Sequence, residues 1–172
     1  MTEPVDDADL QALTVAYAEA WNSHDVDGIL DRLTDDIMWR RPGLSLPLRG
    51  KAQVAADVQG LFRAFPDLRF PLEDLEVFTH QDPHRAVSVW TCHGTMTGRL
   101  DPGFEPTGRP SVISGCTVYR YRHGLISDST IVYDALDLLQ QTGLMPVQGS
   151  VAFKVMLEAQ NLTQRARAAL HR

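Results

Sequence analysis

The sequence predicts an α+β fold in one domain, and three observations carry that reading. Up to Ala64 apolar residues recur at helical spacings of three and four, interrupted by a single short strand. After Phe65-Pro66-Asp67 the period drops to two, in segments rich in Val, Ile, Thr, Tyr, Phe and Trp. Helices first and a meander of strands afterwards excludes an alternating βαβ arrangement and gathers the helices on one face of a mostly antiparallel sheet. At 172 residues the chain suits one core.

Each element has its own signal. Residues 6–23 place Leu10, Leu13, Tyr17 and Trp21 on one face of a helix, with Asp6 and Asp7 ahead of it as candidate caps. Asp25 is a good cap for a second short helix whose inner side is Val26, Ile29, Leu30 and Leu33. A short strand around Trp39 closes at Pro42-Gly43, and Gly50 opens a third helix with the stripe Val54, Val58, Leu61, Phe62 and Phe65, stopped by Pro66. Strands are expected over 68–79, 85–97, 110–122 and 126–135. The Gly/Pro-rich link 98–109 reads as a surface excursion, and His123-Gly124 as a two-residue hairpin loop. Residues 1–148 make the domain. Residues 149–172 form an amphipathic helical extension, with Val151, Val155, Ala159, Leu162, Ala166 and Leu170 at helical spacing; it either docks on its own sheet or packs on a second subunit.

Charge and composition narrow the function classes. The chain carries 16 Lys+Arg against 22 Asp+Glu, a net charge of −6, which argues against a partner bound through its phosphate backbone. No apolar run approaches the roughly 20 residues that span a bilayer, and the acidic N-terminus is unlike a secretory signal. A soluble cytoplasmic protein with no membrane or nucleic-acid partner is expected. Cys92 and Cys116 lack metal or redox spacing and read as free thiols. His80, His84 and His93 lie loosely around Asp82, but H-Q-D-P-H reads more simply as a turn, so no metal site is expected.

The hairpin loop fixes a register. Tyr121 would pair with Ile126, Tyr119 with Asp128, Thr117 with Thr130 and Ile113 with Asp134. One face would then carry Tyr119, Tyr121, Ile126, Asp128, Val132 and Asp134, unless a bulge shifts it. Tyr17, Trp39, Phe62, Trp90, Met96 and Tyr119 are candidate walls of a pocket for an apolar or polycyclic ligand, each with a competing reading as ordinary core or rim.

The order of elements, with A-E-A-W-N-S-H-D-V-D-G-I, A-F-P-D-L at 64–68, V-W-T-C-H-G-T-M-T-G at 89–98 and R-Y-R-H-G-L-I-S-D-S-T-I-V-Y-D-A-L-D-L-L-Q-Q-T-G-L-M-P, resembles the SnoaL-like polyketide cyclases. These belong to the cystatin-like α+β roll superfamily of ketosteroid isomerase, limonene epoxide hydrolase and nuclear transport factor 2. The resemblance implies a strongly curved sheet and helices forming a cone around one apolar pocket, no cofactor, and a homodimer. It places the catalytic acid/base aspartate at Asp134, in Y-D-A-L-D-L-L-Q-Q. It also implies a pocket histidine where this chain has Met96, in Gly94-Thr95-Met96-Thr97-Gly98, and that pattern turns Met96 rather than His93 inward.

Two readings of Asp134 compete. In an apolar pocket its charged form is disfavoured, which suits proton transfer on a carbonyl substrate, with Tyr119 as a candidate donor to the developing enolate. As the cap of a helix beginning at Ala135, its charged form is favoured. Proton-transfer cyclisation or isomerisation is the first functional expectation. An epoxide hydrolase or epoxide-opening cyclase, needing a second inward acid plus an Arg, is the second; Arg99 and Asp101 have a suggestive alternate spacing but lie in the Gly/Pro-rich link, and Asp128 falls toward the rim. A non-catalytic ligand-binding or dimeric scaffold is the third.

Overall fold

The N-terminal stripe forms α1, Asp7–Asn22, which buries Leu10, Thr14, Tyr17, Ala20 and Trp21. This is a computed structural model that describes residues 7–79 and 84–170. Asp6 and the His80–Pro83 part of the proposed turn lie outside those residues, as does the side chain of Asp7. The short α2, Val26–Asp31, starts at Asp25, whose Oδ1 accepts the Gly28 N–H at 2.9 Å. Strand β1 is Leu33–Arg40 and the two-residue β2 is Leu48–Arg49. Helix α3, Lys51–Ala64, begins after Gly50 and ends before Pro66, burying Val54 and Val58.

Residues 68–79 depart from the single strand that was expected. Only Glu76–Thr79 (β3) is strand, preceded by a 3-10 turn at Leu72–Asp74. Two causes break it, one local and one distant in sequence. Pro71 has no N–H to give a ladder, and the Asn22 side chain takes both main-chain groups of Phe70 at 2.7 Å, tying the segment to the end of α1. His24 adds a ring-nitrogen contact to the Leu68 carbonyl at 2.8 Å. Leu68 and Phe70 are thereby fixed beneath the sheet.

The long strands are β4 (Arg85–Thr95), β5 (Pro110–Arg122) and β6 (Leu125–Tyr133). The sheet order is β2-β1-β6-β5-β4-β3, and the one parallel pair is β1 with β6. His123 and Gly124 both have positive φ, 54° and 75°, the backbone a two-residue type I′ loop requires. The loop gives the expected pairs Arg122–Leu125 and Tyr121–Ile126, but the register then slips, so that Arg120 pairs with Asp128, Tyr119 with Ser129 and Thr117 with Ile131. The expected pairing of Ile113 with Asp134 is therefore corrected. One extra residue on β6 inverts every later side chain on that strand.

Helix α4 is Ala135–Gln141, and α5 is Val151–Leu170. Most of the α5 side chains described are exposed, including Val151 at 78% and Leu162 at 61%, so the helix is not docked on its own sheet. No described helix is long and apolar enough to cross a membrane.

Candidate functional site

Between the inner face of the sheet and the helices lies a partly enclosed cavity of about 140 Å³. Helix α1 contributes Tyr17 and Trp21, α3 contributes Leu61, and the clipped segment contributes Leu68 and Phe70; Trp39, Trp90, Ile113, Tyr119 and Ile131 come from the strands. The rings brace one another: Trp21 stacks on Trp39 with centroids 6.2 Å apart, while Tyr17 meets Tyr119 edge-on at 6.1 Å. Gly115 makes room for one of them. A Cβ there would lie 2.5 Å from the Trp90 ring and 2.6 Å from the Val132 carbonyl, so the indole lies across a position that only glycine leaves open.

Most inner-face polar groups are satisfied within the wall. Trp90 Nε1 donates to Thr117 Oγ1 at 2.9 Å, and the Tyr119 and Ser88 hydroxyls meet at 3.0 Å. Three are not. The Tyr17 hydroxyl, Trp39 Nε1 and Ser129 Oγ are buried without a hydrogen-bond partner, and all three residues line the cavity. Trp39 and Ser129 are opposite one another on β1 and β6. Burial and the neighbouring Tyr119 push the Tyr17 phenol well above its ordinary range, which keeps it a neutral hydroxyl.

One charged group reaches the cavity wall from just beyond β1. Alternation from Trp39 turns Arg41 inward, where its Nε donates to Asp57 Oδ2 at 2.9 Å and its Nη2 donates to Asp57 Oδ1. Burial alone works against the Arg41 charge; Asp57 and Tyr133 more than offset it, so the guanidinium holds its proton more tightly than usual. The Tyr133 phenol lies against Arg41. Burial raises it, with the guanidinium pulling the other way. Cys92 completes this side, its thiol pushed up to about 12 by burial.

This architecture, helices closing one face of a six-stranded sheet over a cavity, is matched at the level of sequence. The model of the SnoaL-like polyketide cyclases matches residues 11–142. The chain belongs to that family. Among solved structures, a candidate polyketide cyclase of Pseudomonas putida KT2440 is 25% identical, covering 76% of this chain and 95% of its own, with a TM-score of 0.68. AclR of Streptomyces galilaeus, a candidate hydroxylase, is 25% identical over 96% of this chain and 98% of its own, with a TM-score of 0.70. TsrD of Streptomyces laurentii, at 24% identity, shares the fold over 81% of this chain and 98% of its own, with a TM-score of 0.67. No curated protein matches the sequence.

In this SnoaL-like protein the candidate residues separate. Tyr17, Trp39, Trp90 and Tyr119 line the cavity. Phe62 does not; it stacks on His24 at 4.2 Å and packs against Trp21 from behind. Met96 does turn inward, being fully buried in the core, but it is not among the cavity-lining residues, whereas His93 is. Tyr119 is buried and bonded to Ser88, so it is no rim tyrosine in water.

Asp134 stands outside the cavity. The β6 bulge turns Ser129, Ile131 and Tyr133 inward and Asp134 outward, where it is exposed. Its Oδ1 accepts the N–H groups of Leu136 at 2.9 Å and Asp137 at 3.0 Å, capping α4. The expectation that Asp134 projects into the pocket is thus corrected. The epoxide trio is not assembled either: Arg99 pairs with Glu105 in the exposed link, Asp101 is exposed, and Asp128 is bound by Arg40 at 2.7 Å. Among the described residues no His/Cys/Asp/Glu group could hold a metal ion.

Sequence reasoning missed Arg41 and Tyr133. Arg41 had a usable signal, since it shares the parity of Trp39. Tyr133 had none, because the bulge that turns it inward leaves no mark in the residue pattern.

Proposed function

We propose that this SnoaL-like protein is a cofactor-free enzyme that takes an apolar, polyketide-like carbonyl compound into the cavity and cyclises or isomerises it by moving a proton. The observation that supports this best is the set of three unpartnered polar groups in an aromatic wall, the Tyr17 hydroxyl, Trp39 Nε1 and Ser129 Oγ. A buried donor left unmade costs about 1–3 kcal/mol, and such groups in a native wall call for a partner that the protein itself lacks. A ligand oxygen supplies one. The ring-lined walls and the volume of about 140 Å³ suit one or two fused rings, with the rest of a larger substrate in the open mouth.

Asp134 has its part in this reading through α4. By starting that helix it fixes Leu138 against the cavity and Gln141 on the main chain of Val112, whose N–H and carbonyl the amide takes at 2.8 and 3.0 Å. The acid/base role that the family resemblance gives Asp134 is the point an Asp134→Asn variant decides.

The test is a panel of β-keto, anthraquinone-type and epoxide compounds, read by quenching of Trp21, Trp39 and Trp90 fluorescence and by mass spectrometry of products. Binding and conversion of the ketones is the expected outcome. Binding without conversion replaces the enzyme with a ligand-binding protein, and conversion of epoxides alone replaces the reaction class.

We further propose that two copies associate. The outer sheet face exposes Phe78, Val89, Val118 and Val132, joined through the cross-strand rows Phe78–Val87–Val118 and Val89–Cys116–Val132, and α5 leaves its own apolar residues uncovered.

A further inference from the structure

The Arg41 guanidinium has five N–H donors, and the protein's own acceptors account for only part of them. Nε and Nη2 serve Asp57 and Nη1 donates to the Pro42 carbonyl at 3.1 Å, while the Tyr133 phenol lies close enough to act on the guanidinium's charge. A buried ion pair is weak evidence for stability, since apolar residues of the same size generally serve a core as well. Its position, on the wall of a cavity otherwise built from rings and aliphatic side chains, therefore points to the ligand.

The geometry points to Tyr133 as the hydrogen-bond donor that reads the ligand's carbonyl oxygen, with Arg41 and Asp57 as the residues that position it. Asp57 clamps the guanidinium in one orientation on the cavity wall beside the Tyr133 phenol; in the proposed arrangement a guanidinium N–H is given to the phenol oxygen and the phenol keeps its own O–H to give. An oxygen that accepts from a cation is a better donor in turn, because successive hydrogen bonds polarise one another. The Arg41–Asp57 pair carries no net charge, so the site favours a neutral ketone or quinone oxygen that gains negative charge during reaction over a preformed carboxylate. This rests on the proposed small-molecule function and names the group that selects carbonyl compounds there.

The bulge in β6 is what makes the arrangement available. Without it Tyr133 would face outward and Asp134 inward; with it, Tyr133 joins Ser129 and Ile131 on the cavity face, its ring 6.4 Å from that of Trp90.

The experiment compares 1-tetralone with tetralin, which differ by one carbonyl oxygen, on the full chain. Dissociation constants are taken from tryptophan quenching, and the carbonyl stretch of bound tetralone from infrared difference spectra. The wild-type protein is expected to prefer tetralone by about tenfold, the worth of one good hydrogen bond, with the stretch moved to lower frequency. Tyr133→Phe is expected to remove both the preference and the shift while tetralin binding stays unchanged. Asp57→Asn, folded by circular dichroism, is expected to weaken the preference without touching tetralin. Equal affinity for both compounds, an unshifted carbonyl in wild type, or a preference that survives Tyr133→Phe overturns the assignment and leaves the cavity reading standing. Failure of both compounds to bind overturns the cavity reading and the assignment together. Where Tyr133→Phe fails to fold, Asp57→Asn decides the matter: a wild-type infrared shift that this variant leaves unchanged overturns the assignment, since the Tyr17, Trp39 and Ser129 groups also shift a bound carbonyl.

Discussion

The Asp57 carboxylate accepts from both Nε and Nη2 of Arg41, so a cation from the end of β1 is fixed to α3 at the edge of an apolar cavity. Both side chains are largely withdrawn from water, with 18% of Arg41 and 9% of Asp57 exposed. Removing one partner leaves the other charge uncompensated. Asp57→Ala is expected to cost about 2–3 kcal/mol, just under the cost for a fully buried pair. For a chain of this length that lowers Tm by roughly 5–10 °C in a thermal melt. Arg41→Met with Asp57→Leu is expected to recover most of the loss. A double variant no better than Asp57→Ala would show that the pair is needed for stability itself.

Asp134 separates capping from chemistry by the choice of substitution. Asparagine caps nearly as well as aspartate, whereas alanine loses about 1 kcal/mol. Asp134→Asn is therefore expected to keep both stability and turnover, and Asp134→Ala to lose stability in denaturant unfolding with turnover falling only as far as α4 loosens. Loss of turnover in a stable Asp134→Asn protein would return the proton-carrying role to this carboxylate.

Much of this fold was legible, and the reasons are local. The Leu10–Tyr17–Trp21 stripe, the Asp25 cap, Pro66 and the His123-Gly124 loop each act within a few residues, so the pattern shows them. The cavity was legible to the extent that aromatic residues sat on predicted inner faces, which is why Tyr17, Trp39, Trp90 and Tyr119 meet there. What stayed hidden depends on long-range events. The β6 bulge exchanges Asp134 for Tyr133, and the Asn22 clip on Phe70, 48 residues away, breaks the strand expected from 68 onward.

Gly115 tests how closely the cavity wall is packed. It lies opposite Trp90 on the neighbouring strand, and a methyl group added there would meet both the indole and the Val132 carbonyl. Gly115→Ala is expected to push the Trp90 ring into the cavity and break its bond to Thr117, at a cost of about 1–3 kcal/mol. Tryptophan emission should change and tetralin affinity should fall. Unaltered emission and affinity would mean that the strand moves instead of the ring.

Asp67 gives a pH dependence of definite sign. Its carboxylate accepts the Thr95 N–H and hydroxyl, both at 2.7 Å, and the backbone bond with the hydroxyl bond holds its pKa below the ordinary value. A lowered folded pKa means stabilisation that is fully present above the unfolded value of about 3.9 and is lost as pH falls through the folded value. Wild-type stability, followed by urea unfolding, is expected to fall in that acid window more steeply than that of Asp67→Asn. Parallel curves would show that the Thr95 bonds do not distinguish the charged from the neutral carboxyl. The group is exposed, so only the direction of the effect is predicted.

Association is tested on the two apolar surfaces separately. Val118 and Val132 lie on the outer face of the sheet, and Val155 and Leu162 lie on α5; all four are at least 40% exposed in the single chain. A charge placed in a buried apolar contact is strongly unfavourable, whereas on a surface that stays in water it has little effect. If two copies pair through the sheet face, Val118→Glu is expected to convert a dimer to a monomer in size-exclusion chromatography with light scattering, leaving circular dichroism unchanged. If α5 reaches across to the second copy, Leu162→Glu weakens the dimer as well, and the dissociation constant rises at least tenfold. A wild-type protein that is monomeric at every concentration tested would remove the dimer and leave both apolar surfaces to another partner. A dimer disrupted by Val118→Glu but indifferent to Leu162→Glu would confine the contact to the sheet.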